Sequence, residues 1–435
     1  MIHKIISLTF FVVYILNQYT FAQQSLPQLD VLSYQVQLEP DISQRSIKGR
    51  VTVDFLAAED ENQITLDCGS LTVIQVEGKG IKSFRQEKSQ VIITFSQPLT
   101  EEHSIQIYYH GSPTRGVVFS SEKSQMYTVY FTSEWMVCHD QPDDRASIQL
   151  ELILPEDLQN VANGILIDEK KVKENKVSYV WQQEVATPPY TYGFALGTFH
   201  QASADYKGTD LHYYSDRYPA DQLATIFQAS PDILRFFEEK AGAPYGQPSY
   251  SQLLMGNHYQ EMSGFSVLKE AYGDMVLADS TEINLITHEL AHQWWGNMIT
   301  CQNFGHFWLN EAFATYMSAA YNEHRFGQEK YLENINAYRE VYETIKAKGA
   351  DKPLVFKNWL APTADDRNLV YFKGAYVLHQ LRETLGNDTF WKGIRYYSQQ
   401  YYGKSVLTPE FQRAMEESTG KNLTGFFEKW VYSGN

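Results

Sequence analysis

The sequence HELAHQWWGN places two histidines, His288 and His292, four residues apart with Glu289 between them. On an α-helix, residues i and i+4 lie on the same face, so both imidazoles could bind one metal ion. A zinc ion bound in this way lowers the pKa of a coordinated water molecule, and Glu289 is placed to take the proton from that water. The pattern is therefore typical of metal-assisted hydrolysis, provided that a helix carries it.

The residues around this motif favour an amphipathic helix. Asp279 and Glu282 form the Asp-x-x-Glu pattern of a capping box, and apolar residues recur at helical spacing as far as Trp294. Gly296 is a residue type that commonly follows the end of a helix. We therefore expect one helix of about four turns to carry the motif. The alternative is a buried helix whose two histidines only make hydrogen bonds within the core.

A third metal ligand is expected in the segment WLNEAFATY, where Glu311 lies nineteen positions after His292. Zinc peptidases bind the ion with three side chains and leave a fourth position for water. The apolar residues around Glu311 predict a second buried helix, and a charged carboxylate among them is costly unless it has a cation or a metal as partner. The alternative is an ordinary solvent-facing glutamate in a first helical turn.

Further segments make the pattern more specific. They are Tyr34–Phe55, Cys138–Ala146, Pro188–Phe199 and Val370–Leu381. Together with HELAHQWWGN and WLNEAFA, these segments resemble, in the same order, the aminopeptidase N family of gluzincin zinc metallopeptidases, which also includes leukotriene hydrolase. One departure is Val137, which stands where the Pro-Cys-x-Asp-x-Pro signature of that family has proline.

The resemblance implies a zinc-dependent aminopeptidase that removes N-terminal residues from peptides. It implies one Zn²⁺ per chain, bound by His288, His292 and Glu311, with Glu289 as the general base. It also implies that Tyr371, the tyrosine of the Tyr-x-Lys-Gly motif, stabilises the oxyanion of the tetrahedral intermediate.

Recognition of the substrate amine is where the sequence departs most from the family. The family uses a glutamate in a Gly-x-Met-Glu-Asn motif, whereas this chain has GNHYQEMSGF. One alignment matches Glu261 and Gly264 to the substrate-binding positions, and another places Ser263 at the glutamate position. We favour Glu261 because a carboxylate can pair with an ammonium group. The family's glutamine before the Pro-Cys motif is also missing, with Thr128 or Val129 near that place.

The order of residue patterns predicts an α+β protein. Alternating apolar residues and turn signals predict an N-terminal all-β, sandwich-like domain over residues 23–203. Helical patterns follow, and the resemblance implies a mainly helical, thermolysin-like catalytic domain over residues 204–435. Within it, Thr408-Pro409 predicts a helix start with threonine as the N-cap. Larger family members continue beyond this point into a C-terminal helical domain, so we expect the short form without it.

Residues 1–22 are predicted to be a signal peptide, with Lys4 before an apolar stretch, Ile5–Leu16, and a cleavage site after Ala22. The alternative is an uncleaved membrane anchor. We expect an exported protein, periplasmic or extracellular, that is not inserted stably in a membrane after cleavage. The net charge of −16 argues against nucleic acid as a partner.

Three cysteines give no disulfide framework, and the oligomeric state is left open by the sequence. Two other functions remain as alternatives. One is a zinc endopeptidase or oligopeptidase with the same chemistry but loose amine recognition. The other is a non-catalytic peptide-binding protein with a relict site, which the intact set of Glu289, Glu311, Tyr371 and the two histidines makes less favoured.

Overall fold

The computed structural model describes residues 29–58, 60–172, 175–356 and 362–434. The predicted signal peptide, residues 1–22, lies outside the described residues. Strands dominate the described chain as far as residue 215, and helices dominate beyond it. The predicted α+β class, with the β-rich part first, is therefore confirmed.

The N-terminal part is made of strands joined by turns. In the described residues before position 198, the strands are β1 (Leu29–Asp41), β2 (Ser46–Ala57), β3 (Gln63–Asp67), β4 (Thr72–Gly78), β5 (Ile81–Glu87), β6 (Gln90–Phe95), β7 (His103–Gly111), β8 (Val117–Ser120), β9 (Gln125–Thr128), β10 (Ala146–Pro155), β11 (Gln159–Ala162), β12 (Ile165–Lys171), β13 (Lys176–Thr187) and β14 (Phe194–Gly197). Short 3₁₀ turns at Thr132–Glu134 and Pro189–Thr191 interrupt them.

These strands form three sheets that share one core. A seven-stranded sheet has the order β12-β13-β10-β1-β2-β7-β4, a three-stranded sheet the order β3-β6-β5, and a four-stranded sheet the order β11-β14-β9-β8. In β1 the alternating residues Tyr34, Val36 and Leu38 are buried, as the period of a half-buried strand requires. Buried side chains from all three sheets belong to the same apolar cluster, which is the arrangement of a sandwich-like domain.

The C-terminal part begins with a five-stranded mixed sheet. Its strands are β15 (His200–Tyr206), β16 (Thr209–Ser215), β17 (Ser249–Leu254), β18 (Gln260–Met262) and β19 (Phe265–Leu268), in the order β15-β16-β17-β19-β18. The predicted boundary between residues 203 and 204 thus falls within β15. β18 is an edge strand, which matters for the site because it carries Glu261.

Helices pack against this sheet and against each other. They are α1 (Ala220–Ile226), α2 (Ser230–Ala241), α3 (Tyr272–Ala278), α4 (Asn284–Ala291), α5 (Trp308–Phe326), α6 (Gln328–Ala347), α7 (Ala364–Asn368), α8 (Gly374–Leu385), α9 (Asn387–Tyr401), α10 (Thr408–Thr419) and α11 (Thr424–Phe427). A 3₁₀ turn lies at Phe304–His306, and π-helical turns lie at Leu369–Lys373 and Glu428–Tyr432. Two short parallel strands, β20 (Ile299–Cys301) and β21 (Lys404–Val406), complete the described part.

The N-cap predicted at Thr408 is wrong. Thr408 is already the first residue of α10, and the N-cap position is Leu407. The Thr408 hydroxyl instead accepts a hydrogen bond from Trp308 Nε1 at 2.9 Å and contacts His306 Nδ1 at 2.8 Å. The Thr408 hydroxyl therefore contacts residues at the start of α5 and does not cap α10. At the start of α10 the Glu410 carboxylate accepts a hydrogen bond from the Leu407 N–H.

No helix in the described part of the chain is long and apolar enough to cross a membrane. Cys68, Cys138 and Cys301 are all buried and free.

A buried ion pair fixes the π-helical turn Leu369–Lys373 to the rest of the domain. Lys373 Nζ donates to Asp351 Oδ1 at 2.8 Å and to the Lys352 carbonyl at 2.7 Å. Both side chains of the pair are only 1% exposed. Removing one partner of such a pair leaves the other charge buried with fewer compensating contacts, which is strongly destabilising.

We expect Lys373→Met to lower the free energy of unfolding by about 3–5 kcal/mol, because Asp351 would lose its cationic partner inside the protein. Urea denaturation of the variant and the wild type measures this difference. Lys79→Met is the control, since Lys79 and Glu101 form an ion pair with 89% and 66% exposed side chains; its effect should be below about 1 kcal/mol. Equal effects of the two substitutions would contradict the importance of the buried pair.

Candidate active site

Helix α4 carries the HExxH motif but is shorter than predicted. It spans eight residues from Asn284, about two turns rather than four, and no side chain caps its start. Asp279 Oδ1 instead accepts hydrogen bonds from the backbone N–H and hydroxyl of Thr281 at 2.9 and 2.8 Å. The Asp279 carboxylate is thus engaged in a local turn with Thr281 and does not cap the helix. The predicted capping box of Asp279 and Glu282 was therefore wrong.

His288 lies within α4, and His292 directly follows its last helical residue. His292 keeps right-handed helical angles, φ −58° and ψ −22°, so the two imidazoles remain on one face. Gly296, which we expected to end the helix, lies in the turn beyond it with φ 145°. A Cβ at Gly296 would lie 2.7 Å from His292 Nδ1, so the turn can pass this closely behind the imidazole only with glycine.

Glu311 lies in the first turn of α5, which packs beside α4, as the sequence predicts. Its Oε2 is 3.4 Å from the Nε2 atoms of both His288 and His292, and the two Nε2 atoms are 3.1 Å apart. Ligand atoms about 2.0–2.1 Å from a tetrahedral zinc ion are separated by roughly 3.3 Å. The triangle formed by the three atoms therefore has the size of one face of a zinc coordination tetrahedron.

The protonation of the imidazoles also fits a metal ion. His292 Nδ1 lies 3.1 Å from the Trp295 carbonyl oxygen and therefore must donate to it. His288 Nδ1 contacts the Thr315 hydroxyl at 3.5 Å. In a neutral His292 ring the Trp295 contact leaves the lone pair on Nε2, which faces Glu311 Oε2 at 3.4 Å, so two electron-pair donors repel each other there. A cation between them removes the repulsion, so the donor set fits zinc.

The pKa shifts of His292 and Glu311 also indicate that the site favours a cation. Burial opposes protonation of His292, but Glu311, with further contributions from Glu261 and Glu289, raises the pKa of His292 to about 10. Burial also opposes ionisation of Glu311, yet the adjacent His292 and His288 lower the pKa of Glu311 to about 2. The site thus favours a positive charge next to an ionised Glu311, which is the environment that a divalent cation requires.

Glu289 and Glu261 lie beside this triangle. A carboxylate oxygen of each and a ring nitrogen of His292 lie within 4.8 Å of one another, and both carboxylates are 3% exposed. Burial raises the pKa of Glu261 to about 7 and that of Glu289 well above its usual value. Glu289 Oε2 has no hydrogen-bond partner among the described residues. A buried carboxylate with an unused oxygen can exchange protons with a molecule that enters the site.

The strand that carries Glu261 is held by amide side chains next to the histidines. Gln293 Nε2 donates to the Met262 carbonyl and its Oε1 accepts from the Gly264 N–H, both at 3.0 Å. Gly264 has φ +80°, a conformation that glycine adopts without strain. The hydroxyl of Ser263, the alternative candidate, accepts a hydrogen bond from Gln247 Nε2 at 3.1 Å. The structure thus places Glu261 in the site and leaves Gly264 with a backbone role.

The β-rich part contacts the turn between β18 and β19 and the turn after α4. Asn163 Nδ2 donates to the carbonyls of Thr191 and Ser263 at 3.0 and 2.7 Å, and its Oδ1 accepts from the Gly193 N–H at 2.7 Å. The Tyr190 hydroxyl donates to the Gly296 carbonyl at 2.7 Å. Sequence reasoning missed Asn163 and Gln293, because single polar residues give no periodic signal and their partners are distant along the chain.

Tyr371 lies on the π-helical turn before α8. Its ring stacks on the His288 ring with centroids 5.8 Å apart and an interplanar angle of 10°. Burial, and then the charge of Glu311, raise the pKa of Tyr371 well above its usual value, so the hydroxyl keeps its proton and can donate a hydrogen bond. The structure therefore brings Tyr371 to the same site as the three predicted ligands.

The segment in which the sequence lacks the expected glutamine also reaches the site, but through an unexpected residue. The Thr128 hydroxyl accepts from the Phe194 N–H at 3.0 Å within the β-rich part. Tyr130, two residues later, directs its hydroxyl to Glu261 Oε2 at 3.3 Å. Sequence reasoning named Thr128 and Val129 but missed Tyr130, since its approach depends on backbone angles that the residue type disfavours.

Comparison with known protein families explains this arrangement. The Peptidase M1 N-terminal domain matches residues 31–191, and the Peptidase family M1 domain matches residues 226–430. The two matches are in family order and contain every predicted site residue. The chain belongs to the M1 peptidase family.

Related members of this family are named aminopeptidases. Aminopeptidase 2 of Candida albicans is 24% identical over 92% of this chain and 46% of its own length. Aminopeptidase M1 of Arabidopsis thaliana is 24% identical over 92% and 49%, and aminopeptidase N of Lactococcus lactis subsp. lactis is 22% identical over 94% and 51%. The chain thus spans about half of the length of these M1 relatives.

Solved structures of similar size share the fold. The crystal structure of an M1 zinc metallopeptidase from Deinococcus radiodurans has a TM-score of 0.79 and 22% identity, and covers 94% of each chain. A variant of a two-domain M1 zinc metallopeptidase bound to L-tryptophan has the same TM-score and identity, covering 94% of this chain and 95% of its own. The two-part architecture is therefore an established M1 arrangement.

Two overlapping groups in the described residues could hold a metal, His288–His292–Glu311 and Glu261–Glu289–His292. Because only the first has the spacing described above, we expect His288→Ala to weaken zinc binding at least about 100-fold and Glu289→Gln to keep about one zinc per chain. Elemental analysis after dialysis against a zinc buffer measures both. Loss of zinc from Glu289→Gln, with zinc retained by His288→Ala, would favour the second group.

Proposed function

We propose that this protein is a zinc-dependent aminopeptidase that hydrolyses the first peptide bond of peptides with a free N-terminus. The observation that carries the proposal is the zinc-sized triangle of His288, His292 and Glu311 with two further buried carboxylates, Glu289 and Glu261, beside it. The aminopeptidase names of M1 relatives support the reaction class, although the chain spans only about half of their length.

His288, His292 and Glu311 would hold one zinc ion per chain. When bound there, zinc acts as a Lewis acid that polarises the scissile carbonyl and lowers the pKa of water. The chain itself supplies orientation, since the Trp295 carbonyl and the Thr315 hydroxyl fix the two imidazole rings from behind. It also supplies a site from which most water is excluded, because Glu311 and His292 are almost completely buried.

Glu289 would act as the general base. Glu289 lies on α4, is buried close to His292, and has an Oε2 without a hydrogen-bond partner among the described residues. It could therefore take a proton from the attacking water and pass it to the leaving amine. Burial raises its pKa well above the usual value, which makes the protonated state accessible for the second transfer. A carboxylate fully paired with a cation would be too weak a base for this role.

Tyr371 would donate a hydrogen bond to the oxyanion as the tetrahedral intermediate forms. Its ring is fixed against His288, and its hydroxyl stays protonated because burial and Glu311 raise its pKa. A donor held in place before the reaction loses little energy to reorganisation when charge develops on the substrate oxygen.

Glu261 would bind the substrate α-ammonium. The amine nitrogen and the scissile carbonyl carbon of a peptide are only about 2.5 Å apart, because a single Cα separates them. An amine-binding carboxylate must therefore lie within a few ångström of the metal ligands, and a carboxylate oxygen of Glu261 lies within 4.8 Å of a ring nitrogen of His292. This proximity supports an exopeptidase over the endopeptidase alternative, for which no charge is needed there.

We also propose export, on the basis of the apolar segment Ile5–Leu16 and the cleavage site after Ala22 in the sequence. Expression of the full chain in a secreting host should yield a mature protein that begins at Gln23, because a signal peptidase would cut after the small residue. N-terminal sequencing of the purified protein measures this. A mature protein that still begins at Met1 would contradict export by this route.

The aminopeptidase reaction is tested with one peptide pool, half of it N-acetylated. We expect loss of single N-terminal residues from the free peptides only, because an acetylated amine carries no charge for Glu261. Mass spectrometry of the products measures this, and Glu289→Gln, which should be slower by at least about 100-fold, is the control for contaminating peptidases. Equal internal cleavage in both halves would support the endopeptidase instead.

A further inference from the structure

The chain leaves β9 through a segment with unusual backbone angles. Tyr130 and Phe131 both have left-handed conformations, with φ 46° and 43°. Residues that carry a Cβ rarely adopt this conformation, and two bulky neighbours that do so are rarer still. Such strain persists only where the surroundings fix the segment, and it is concentrated at functional sites.

Contacts on both sides hold this segment in place. The Val129 N–H donates to the Gly116 carbonyl at 2.9 Å, and the Glu134 N–H donates to the Phe131 carbonyl at 2.9 Å. The Tyr130 N–H donates to Gln260 Oε1, on β18, at 3.0 Å. The strained segment of the β-rich part is therefore attached directly to the strand that carries Glu261.

The consequence of these angles is the position of the Tyr130 side chain. Its hydroxyl donates to Glu261 Oε2 at 3.3 Å, and Gln260 Nε2 approaches the same oxygen at 3.5 Å. In the described part of the chain, both side-chain hydrogen bonds of this carboxylate are thus to Oε2. An ionised carboxylate accepts up to about four hydrogen bonds over two oxygens, so the Glu261 carboxylate has room for a further donor at Oε1 even with the contact from its own backbone N–H.

We propose that Tyr130 is a positioning residue for recognition of the substrate amine. Its hydroxyl fixes the Glu261 carboxylate through Oε2 and thereby directs Oε1 toward the ammonium group of a peptide. This inference rests on the proposed aminopeptidase function and deepens it, since selectivity for free N-termini then depends on a tyrosine of the β-rich part. Tyr130 does not touch the scissile bond, so its removal should change binding more than turnover.

The test uses the zinc-loaded full chain and one peptide with either a free or an acetylated N-terminus. For Tyr130→Phe we expect KM for the free peptide to rise about tenfold, as for loss of a hydrogen bond to a charged group, with kcat changed less than about threefold. Any residual cleavage of the acetylated peptide should be unchanged. A purely structural defect would instead lower kcat for both peptides and reduce the zinc content.

Tyr127→Phe is the matched control. Tyr127 lies three residues earlier, and its hydroxyl also reaches from the β-rich part to the other part, where it contacts His258 Nδ1 at 2.7 Å. This variant should keep KM within about twofold of the wild type, because a hydroxyl that does not contact Glu261 has no role in orienting its carboxylate. A KM increase equal to that of Tyr130→Phe would overturn the specific role of Tyr130.

A double-mutant cycle keeps the proposal falsifiable if Tyr130→Phe has other effects. In a Glu261→Gln background, Tyr130→Phe should raise KM by less than about twofold, since the carboxylate that it orients is gone. A full tenfold increase in that background would show that Tyr130 acts elsewhere. An unchanged KM of Tyr130→Phe with an amine-selective wild type overturns this inference alone, whereas a wild type without amine selectivity overturns the proposed function as well.

Discussion

Three buried carboxylates around two imidazoles are the constraint on which the rest of the structure depends. Glu261, Glu289 and Glu311 are each no more than 3% exposed, and like charges this close together repel strongly where water is excluded. Such a cluster is stable in ionised form only with a cation among its members. The elements around this cluster must therefore hold the three carboxylates at fixed distances from the position of that cation.

The fold holds these carboxylates and imidazoles in place on several short elements, each with its own contacts to the rest of the protein. The proposed ligands lie on α4, on the residue that directly follows it and on the first turn of α5, which is buried along most of its length. The end of β18 and the turn after it are held across the junction of the two parts, through Gln293 from the helical part and Asn163 from the β-rich part. The β-rich part is thus a component of the site, because the C-terminal part alone would leave the turn after β18 without the contact from Asn163.

The sequence was sufficient for features that depend on local spacing. The i, i+4 spacing predicts that His288 and His292 share one face, and the apolar residues around Glu311 predict a second buried helix, because core burial enforces the helical period; alternation predicts the β-rich part in the same way. It was insufficient where a polar side chain has several partners within reach. Asp279 bonds to Thr281 and the Thr408 hydroxyl bonds to Trp308, so neither caps a helix as predicted. Tyr130 was missed because its role depends on a left-handed backbone and on a partner 131 residues away.

The lysine and glycine of the Tyr-x-Lys-Gly motif position the side chain of its tyrosine, Tyr371. Lys373 anchors the π-helical turn through Asp351, and a π-helical turn shifts the register of the residues that it carries. Gly374 allows α8 to approach α5, since a Cβ at this position would lie 2.5 Å from the Ala312 Cβ. Ala312 directly follows Glu311, so this close approach sets how near Tyr371 comes to Glu311, the proposed metal ligand. Lys373 and Gly374 therefore both contribute to the position of the Tyr371 hydroxyl group.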